Sequence, residues 1–202
     1  MSRPAVRLAP VLLAAGASRR LGTPKALVDL AGRSPLERLV RASSGVADAA
    51  PLVVAGHDLD ALTAALPEGA ELLDNPDWAA GRTGGLRLAA EHRPGLDLVV
   101  TPVDVPLVPE DCFLALRDSW AEAGAPERGW LAPRHGGRFG HPVVVGRGLA
   151  AELLELDPDE PLSTLRRRAR PLLAVEVPFP EVLDDLDTPE DLARLRARLE
   201  LG

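Results

Sequence analysis

The sequence predicts an α/β protein built on a mainly parallel sheet. Short apolar runs rich in Val and Leu recur along the chain, bounded by turn residues, as suits strands buried on both faces. Stretches with helical spacing of apolar residues lie between them, and such alternation is the pattern of α/β folds. The chain has 202 residues, with 46% hydrophobic and 26% charged, which suits one globular domain spanning residues 1–202.

The expected strands are Pro10–Ala15, Pro51–Ala55, Leu96–Thr101, Trp130–Pro133, Pro142–Val145 and Leu172–Val177. The expected helices are Pro35–Ala42, Leu59–Leu66, Thr83–His92, Pro109–Ala123 and Gly148–Leu156. A last helix starts at Thr188, where an N-cap precedes Pro189 and the acids Glu190 and Asp191. No internal repeat and no long linker divides the chain.

Thirty acids against 23 bases leave a net charge of −7, which argues against a nucleic-acid groove. The longest apolar run, Ala9 to Ala17, is too short to span a bilayer. Arg3 and Arg7 followed by that run could imitate a signal peptide, but Ser18-Arg19-Arg20 comes at once. The single cysteine, Cys112, forbids an internal disulfide and suits a reducing cytoplasm.

Lys25 is the only lysine among 23 basic residues. Where arginine serves nearly every positive position, a retained lysine marks a place where a compact ammonium differs from a planar guanidinium. Lys25 closes the loop Leu13-Ala14-Ala15-Gly16-Ala17-Ser18-Arg19-Arg20-Leu21-Gly22-Thr23-Pro24-Lys25, which leaves the first strand at its carboxyl end. The spacing is neither a Walker loop nor a dinucleotide fingerprint. Its physics is still that of an anion cradle: Gly16 and Gly22 allow close backbone approach, and Arg19, Arg20 and Lys25 supply charge. Ligands of open α/β sheets bind outside the strand carboxyl ends, where this loop falls. An ordinary βα turn with solvated arginines is the plainer alternative.

Two acidic segments stand out. Asp104, in Thr101-Pro102-Val103-Asp104-Val105-Pro106, follows a strand amid apolar residues and could help hold Mg²⁺, which typically takes one or two carboxylates plus substrate phosphates. It could instead cap the helix near Pro109. Asp185 and Asp187 would share one face of an extended chain, or simply favour the helix amino terminus that follows.

The glycine loop resembles the opening L-A-[AG]-G-x-S-x-R-x-G, then lysine, of nucleotidyltransferases with a GT-A-like fold, particularly the MobA/MocA-like molybdenum cofactor transferases. With Ala14-Ala15 it is more similar to the cytidylyltransferase branch than to the guanylyltransferase branch. The resemblance implies a three-layer α/β/α, Rossmann-like nucleotide-diphospho-sugar transferase fold. It implies nucleotide binding by Leu13, Ala14, Ala15, Gly16, Ser18, Arg19, Gly22 and Lys25, with Lys25, Arg19 and Asp104 catalytic. Asp104 takes the place of the family's metal-binding aspartate, and Asp185-Leu186-Asp187-Thr188-Pro189 that of its D-I-D-T-P, so Asp187, with Asp185 close behind, completes a Mg²⁺ site.

Asn75-Pro76-Asp77-Trp78-Ala79-Ala80-Gly81-Arg82-Thr83 resembles the family's N-x-x-W-x-x-G-x-[ST], implying that Asn75, Gly81 and Thr83 contact nucleotide. Serines common in the family at the next two positions are replaced by Gly84 and Gly85. Gly137-Arg138-Phe139-Gly140-His141-Pro142 matches G-x-x-G-H-P, implying acceptor contacts from Gly140, His141 and Pro142; a glycine-rich hairpin whose histidine caps a strand is the plainer alternative. The family's G-D-x-G-[AS]-R segment has no counterpart in Asp157–Arg166. The run Arg166, Arg167, Arg168 and Arg170 could meet an anionic acceptor or be a solvated helix face.

The expectation is therefore transfer of a nucleoside monophosphate from an NTP, CTP favoured over GTP, to a phosphate-bearing acceptor most like molybdenum cofactor. A molybdoenzyme or another cofactor-biosynthesis protein could be a partner. A sugar-phosphate nucleotidyltransferase and a non-catalytic cofactor chaperone are the alternatives.

Overall fold

The computed structural model describes residues 6–200. Arg3 of the signal-like pattern lies outside them. The strands are β1 (Leu8–Leu13), β2 (Leu52–Ala55), β3 (Glu71–Asp74), β4 (Asp97–Pro102), β5 (Trp130–His135), β6 (Arg138–Phe139), β7 (Val143–Val145) and β8 (Leu172–Glu176). The helices are α1 (Pro35–Ser44), α2 (Leu59–Ala64), α3 (Arg82–His92), α4 (Glu110–Glu122), α5 (Arg147–Ala151), α6 (Leu162–Arg168) and α7 (Pro189–Glu200).

All eight strands join one sheet in the order β3-β2-β1-β4-β7-β5-β6, with β8 paired to β5. The β1–β2, β1–β4, β2–β3 and β5–β8 pairings are parallel, while β7 runs antiparallel to β4 and β5, and β6 to β5. The sheet is mostly parallel, as the alternation predicts, but strand direction beyond β4 could not be read from apolar runs alone.

Every residue of β2, β4 and β7 is buried, as is β1 apart from half-buried Leu13. Period-two alternation sends Leu8, Leu12, Val53 and Val99 to one face, where Leu36 and Leu39 of α1, Leu62 of α2, and Phe113, Leu116 and Trp120 of α4 cover them. Ala9, Val11, Val54 and Val100 meet the other face under Leu86 and Ala89 of α3, Leu149 of α5 and Leu165 of α6. The result is the expected three-layer arrangement.

Two local devices anchor it. Ser34 and Glu37 form a reciprocal capping box ahead of α1, with Pro35 at its first position. Buried Asp97 accepts from the Trp120 indole at 2.9 Å and from the Arg147 backbone at 2.8 Å, so its oxygens are paired where β4 begins.

The expected elements lack β3 and α6, and include β6 only as part of the alternative hairpin at residues 137–142. β3 is a sheet edge with exposed acids at both ends and only half-buried leucines between, so it shows no apolar run. α5 is also shorter than expected, giving way to a 3₁₀ turn at Glu152–Glu155.

Strand order reverses at β1, which lies between β2 and β4. The carboxyl ends of β1 and β4 are level, Leu13 opposite Pro102, so the glycine loop and Asp104 emerge side by side at the switch point.

Candidate functional site

The loop after β1 is folded by its own residues. Ser18, at φ 47°, accepts from the Leu21 and Gly22 amides through its carbonyl at 3.0 and 3.1 Å. Its hydroxyl accepts from the Lys25 amide at 2.9 Å. Ser18 is thus a staple that fixes where Lys25 starts its 3₁₀ turn. Gly22 sits at φ 75°, a left-handed conformation that favours glycine.

Lys25 is directed inward, its side chain 16% exposed. Its Nζ donates to Asp187 Oδ1 at 2.6 Å and lies 3.9 Å from Asp104 Oδ2. Arg20 Nη2 donates to Asp187 Oδ2 at 2.7 Å, and Arg82 Nη2 stands 3.6 Å from Asp104 Oδ2. The two aspartates, 83 residues apart as the tail of the chain folds back, are tied by the Leu186 amide donating to the Asp104 carbonyl at 2.8 Å. Asp104 does not cap α4, whose N-cap position is Pro109 and carries no side-chain cap.

Asp191 positions Asp187 rather than joining it. Its Oδ2 accepts from the Asp187 amide, the Thr188 amide and the Thr188 hydroxyl at 3.1, 3.0 and 2.9 Å, while its amide donates to the Thr188 hydroxyl at 3.2 Å. Burial alone would raise the Asp191 carboxyl, but bonds from Arg194, Asp187 and Thr188 hold it down at about 2.

The neighbouring carboxyls diverge. The Lys25 hydrogen bond, with the Lys25 and Arg20 charges, outweighs burial and holds Asp187 below the usual range. Burial, then the charges of Asp104, Asp187 and Asp191, push Asp185 up despite Arg194. Crowded carboxylates at a strand end are a place that a cation would relieve. Among the described residues no group of three or more His, Cys, Asp or Glu side chains is arranged to hold a metal by itself. Hard oxygen donors this few fit Mg²⁺ or Mn²⁺ held jointly with phosphates.

A cleft of about 260 Å³ opens beside these groups, with Leu13, Ala15, Gly16, Lys25 and Asp104 on one side and Asn75, Trp78, Gly81 and Arg82 on the other. Buried Asn75 hangs from β2 by its amide on the Ala55 carbonyl at 3.0 Å. A Cβ on Gly85 would lie 3.3 Å from Asn75 Nδ2 and 3.2 Å from Val54, so any side chain there would press on both. Trp78 packs on Gly56, where a Cβ would come within 2.6 Å of it, and meets the His57 ring edge-on at 5.1 Å. Gly81, at φ 145°, turns the chain into α3 beneath the Pro158 carbonyl.

Other expected residues lie elsewhere. Thr83 is buried, its hydroxyl donating to the Glu160 carbonyl at 2.6 Å, so it fastens the loop before α6. Ala14 is buried, with its amide on the Val54 carbonyl at 2.9 Å. Arg19 is exposed and has no ion pair among the described residues, whereas Arg20 meets Asp187. Arg20 also occupies the arginine position of the L-A-[AG]-G-x-S-x-R-x-G spacing, a signal that could have selected it. Arg82 was missed as well, and nothing in a βα turn sequence distinguishes it.

Gly140, His141 and Pro142 lie outside the cleft lining. A Cβ on Gly140 would come within 2.2 Å of the Val182 carbonyl, and the His141 amide donates to that carbonyl at 3.0 Å. The His141 ring has a buried, unpartnered Nδ1. Burial lowers its pKa, with Asp104 opposing and Arg82 reinforcing that shift, so it faces the same charges as the cleft. Of the arginine run, Arg168 is 3.7 Å from Glu152, Arg167 donates to Ser163 and Thr164, Arg170 donates to backbone carbonyls, and Arg166 lies over the Phe139 ring.

A glycine loop and paired carboxylates at the switch point of an open sheet define a nucleotide-handling α/β protein. The chain belongs to the MobA-like NTP transferase domain family, which matches residues 10–174. A molybdenum cofactor guanylyltransferase of Rhodobacter capsulatus is 32% identical over 206 residues, covering 96% of this chain and 97% of that protein. The structure of Rv0371c of Mycobacterium tuberculosis H37Rv complexed with manganese is 26% identical at TM-score 0.70, covering 95% of this chain and 99% of that one. A nucleotidyl transferase of Methanothermobacter thermautotroptrophicus, 23% identical, shares the fold at TM-score 0.77 over 97% and 99% of the chains. No helix of the described residues is long and apolar enough to cross a membrane.

Proposed function

We propose that this chain transfers a nucleoside monophosphate from an NTP to a phosphate-bearing acceptor of the molybdenum cofactor type, releasing pyrophosphate. The observation that carries the reading is Lys25 lying between Asp104 and Asp187, 3.9 and 2.6 Å away, at the mouth of the cleft. The sequence favoured CTP, but the relative from Rhodobacter capsulatus is named for guanylyl transfer, and GTP is the donor we favour.

In the reaction an acceptor phosphate oxygen attacks the α-phosphorus, the bond to the bridging oxygen breaks, and pyrophosphate leaves with that electron pair. The acceptor needs no strong base, since a phosphate monoester with a second pKa of about 6 is already ionised. Positioning and charge stabilisation remain for the chain to supply. Lys25, Arg20 and Arg82 face the departing charge, and the glycine loop offers backbone N–H groups to phosphate oxygens. Asp104 and Asp187, with Asp185 beside them, would hold Mg²⁺, which when bound neutralises phosphate oxygens. A manganese complex of a similar protein supports a divalent ion in this fold.

The test is pyrophosphate release from each of the four NTPs, with molybdenum cofactor and with sugar phosphates as acceptors. Turnover with GTP and molybdenum cofactor is expected. Preference for CTP would restore the sequence expectation, turnover only on a sugar phosphate would replace the acceptor, and cofactor binding without turnover would leave a chaperone.

A further inference from the structure

A second, larger cavity of about 850 Å³ opens between α1, the turn from Pro106 to Glu110 and α7, and shares no lining residue with the cleft. Arg33, Arg38, Arg41, Arg194 and Arg198 all line it, in a chain whose net charge is −7. Arg194 and Arg198 are already paired, with Asp184, Asp191 and Glu181. Arg33, Arg38 and Arg41 have no ion pair among the described residues, although Arg38 donates to the Leu30 carbonyl. The Arg38 Nε is buried without a hydrogen-bond partner. Of the cavity's two carboxylates, Glu181 is bound to Arg198, and Glu110 lies against Gly45, its Oε1 2.2 Å from where a Cβ there would be. Burial and, after it, the Arg33 charge work against the Arg38 cation, with Asp29 and Glu37 opposing. The floor is apolar, formed by Leu107, Val108, Ala197 and Leu199 among others.

We propose that this cavity is a second anion site, taking a small molecule that carries a di- or triphosphate. Three unpaired guanidiniums around one cavity suit several phosphate oxygens at once, since planar forked donors bind phosphate bidentately. The volume exceeds what a lone phosphate needs, and the apolar floor can cover the body of a phosphate ester.

Binding of inorganic pyrophosphate and of GTP to the full chain, followed by calorimetry in EDTA, tests this. Lys25→Gln serves as the background, because it weakens the cleft. Pyrophosphate still binds that variant, and adding Arg33→Gln with Arg41→Gln weakens binding at least about tenfold, as loss of charge-assisted contacts predicts. Both arginines are exposed and leave the Arg38 contact in place, so the fold is retained, which circular dichroism checks. Arg7→Gln with Arg117→Gln, which removes equal charge elsewhere, leaves binding unchanged. GTP binding more tightly than pyrophosphate through the same arginines identifies a nucleotide, and equal affinity identifies the polyphosphate alone. No binding to the Lys25→Gln variant, or an equal loss in the control pair, overturns the proposal.

Discussion

Lys25 lies between both aspartates of the proposed site, and its proposed role is testable without changing its charge. Its Nζ approaches Asp187 at 2.6 Å from a side chain only 16% exposed, so there is little room for a planar fork. Lys25→Arg is expected to lower kcat/KM for the NTP at least about tenfold, or ~1.4 kcal/mol of transition-state stabilisation. A fall in kcat would assign Lys25 to the leaving pyrophosphate, a rise in KM alone to ground-state anchoring, and parent kinetics would sink the composition argument. The carboxyls make a separate prediction. In metal-free protein Asp185, pushed up, protonates before Asp187 and Asp191, which are both held down, Asp191 at about 2. The depressed pair contributes stability above the ordinary aspartate pKa of 3.8, lost as pH falls through the folded values, while Asp185 contributes the opposite sign. Carbon-detected NMR titration reads that order, and Asp185 titrating below Asp191 would refute it. Lys25, Asp104 and Asp187 were legible in the sequence because each sits in a short motif at a strand end or helix start. Arg82 was not, because its role depends on which loop folds beside it.

At the level of elements, what was legible followed burial. β1, β2 and β4 announced themselves as apolar runs because both of their faces are covered, whereas β3 at the sheet edge and the two-residue β6 offered no such signal. The start of α7 was readable for the same reason that it is stable: Thr188 and Asp191 close a reciprocal cap. Asp191→Ala removes that cap and the support of the Asp187 amide, and should cost on the order of 1 kcal/mol in urea unfolding. It should also raise the Mg²⁺ concentration needed for half-maximal rate, because Asp187 loses its fixed backbone. Lost stability with unchanged metal dependence would make the cap structural only. Gly140→Ala probes the hairpin differently. With the Val182 carbonyl 2.2 Å from the new Cβ, backbone must shift, a destabilisation of roughly 1–3 kcal/mol. An equilibrium midpoint equal to the parent's would show that the close approach carries no cost.

Across the whole molecule, the switch point between β1 and β4 gathers charge of both signs from distant parts of an acidic chain. Asp104, Asp185 and Asp187 would repel a triphosphate, and the Lys25 and Arg20 cations that would attract it are bonded to Asp187. In the proposed reaction a divalent ion held by Asp104 and Asp187 would change that balance, leaving the Lys25 ammonium and the Arg20 guanidinium for phosphate oxygens. In the Arg33→Gln, Arg41→Gln double variant, where the second anion site is weakened, NTP and metal should therefore stabilise the fold together and hardly at all apart. At about 100-fold excess over Kd the pair should add ~2.7 kcal/mol, which for a chain of this size is a Tm rise of roughly 5–10 °C. Differential scanning fluorimetry with GTP, with and without EDTA, measures it. Asp104→Asn should keep the parent melting temperature in the absence of ligand, since the Leu186 amide bonds the Asp104 backbone and not its carboxylate, yet lose most of the shift. Equal stabilisation by GTP in EDTA would mean that the chain's own cations suffice. Asp104 and Asp187 would then be partners of Lys25 and Arg82 alone, and the metal would have no place in the site.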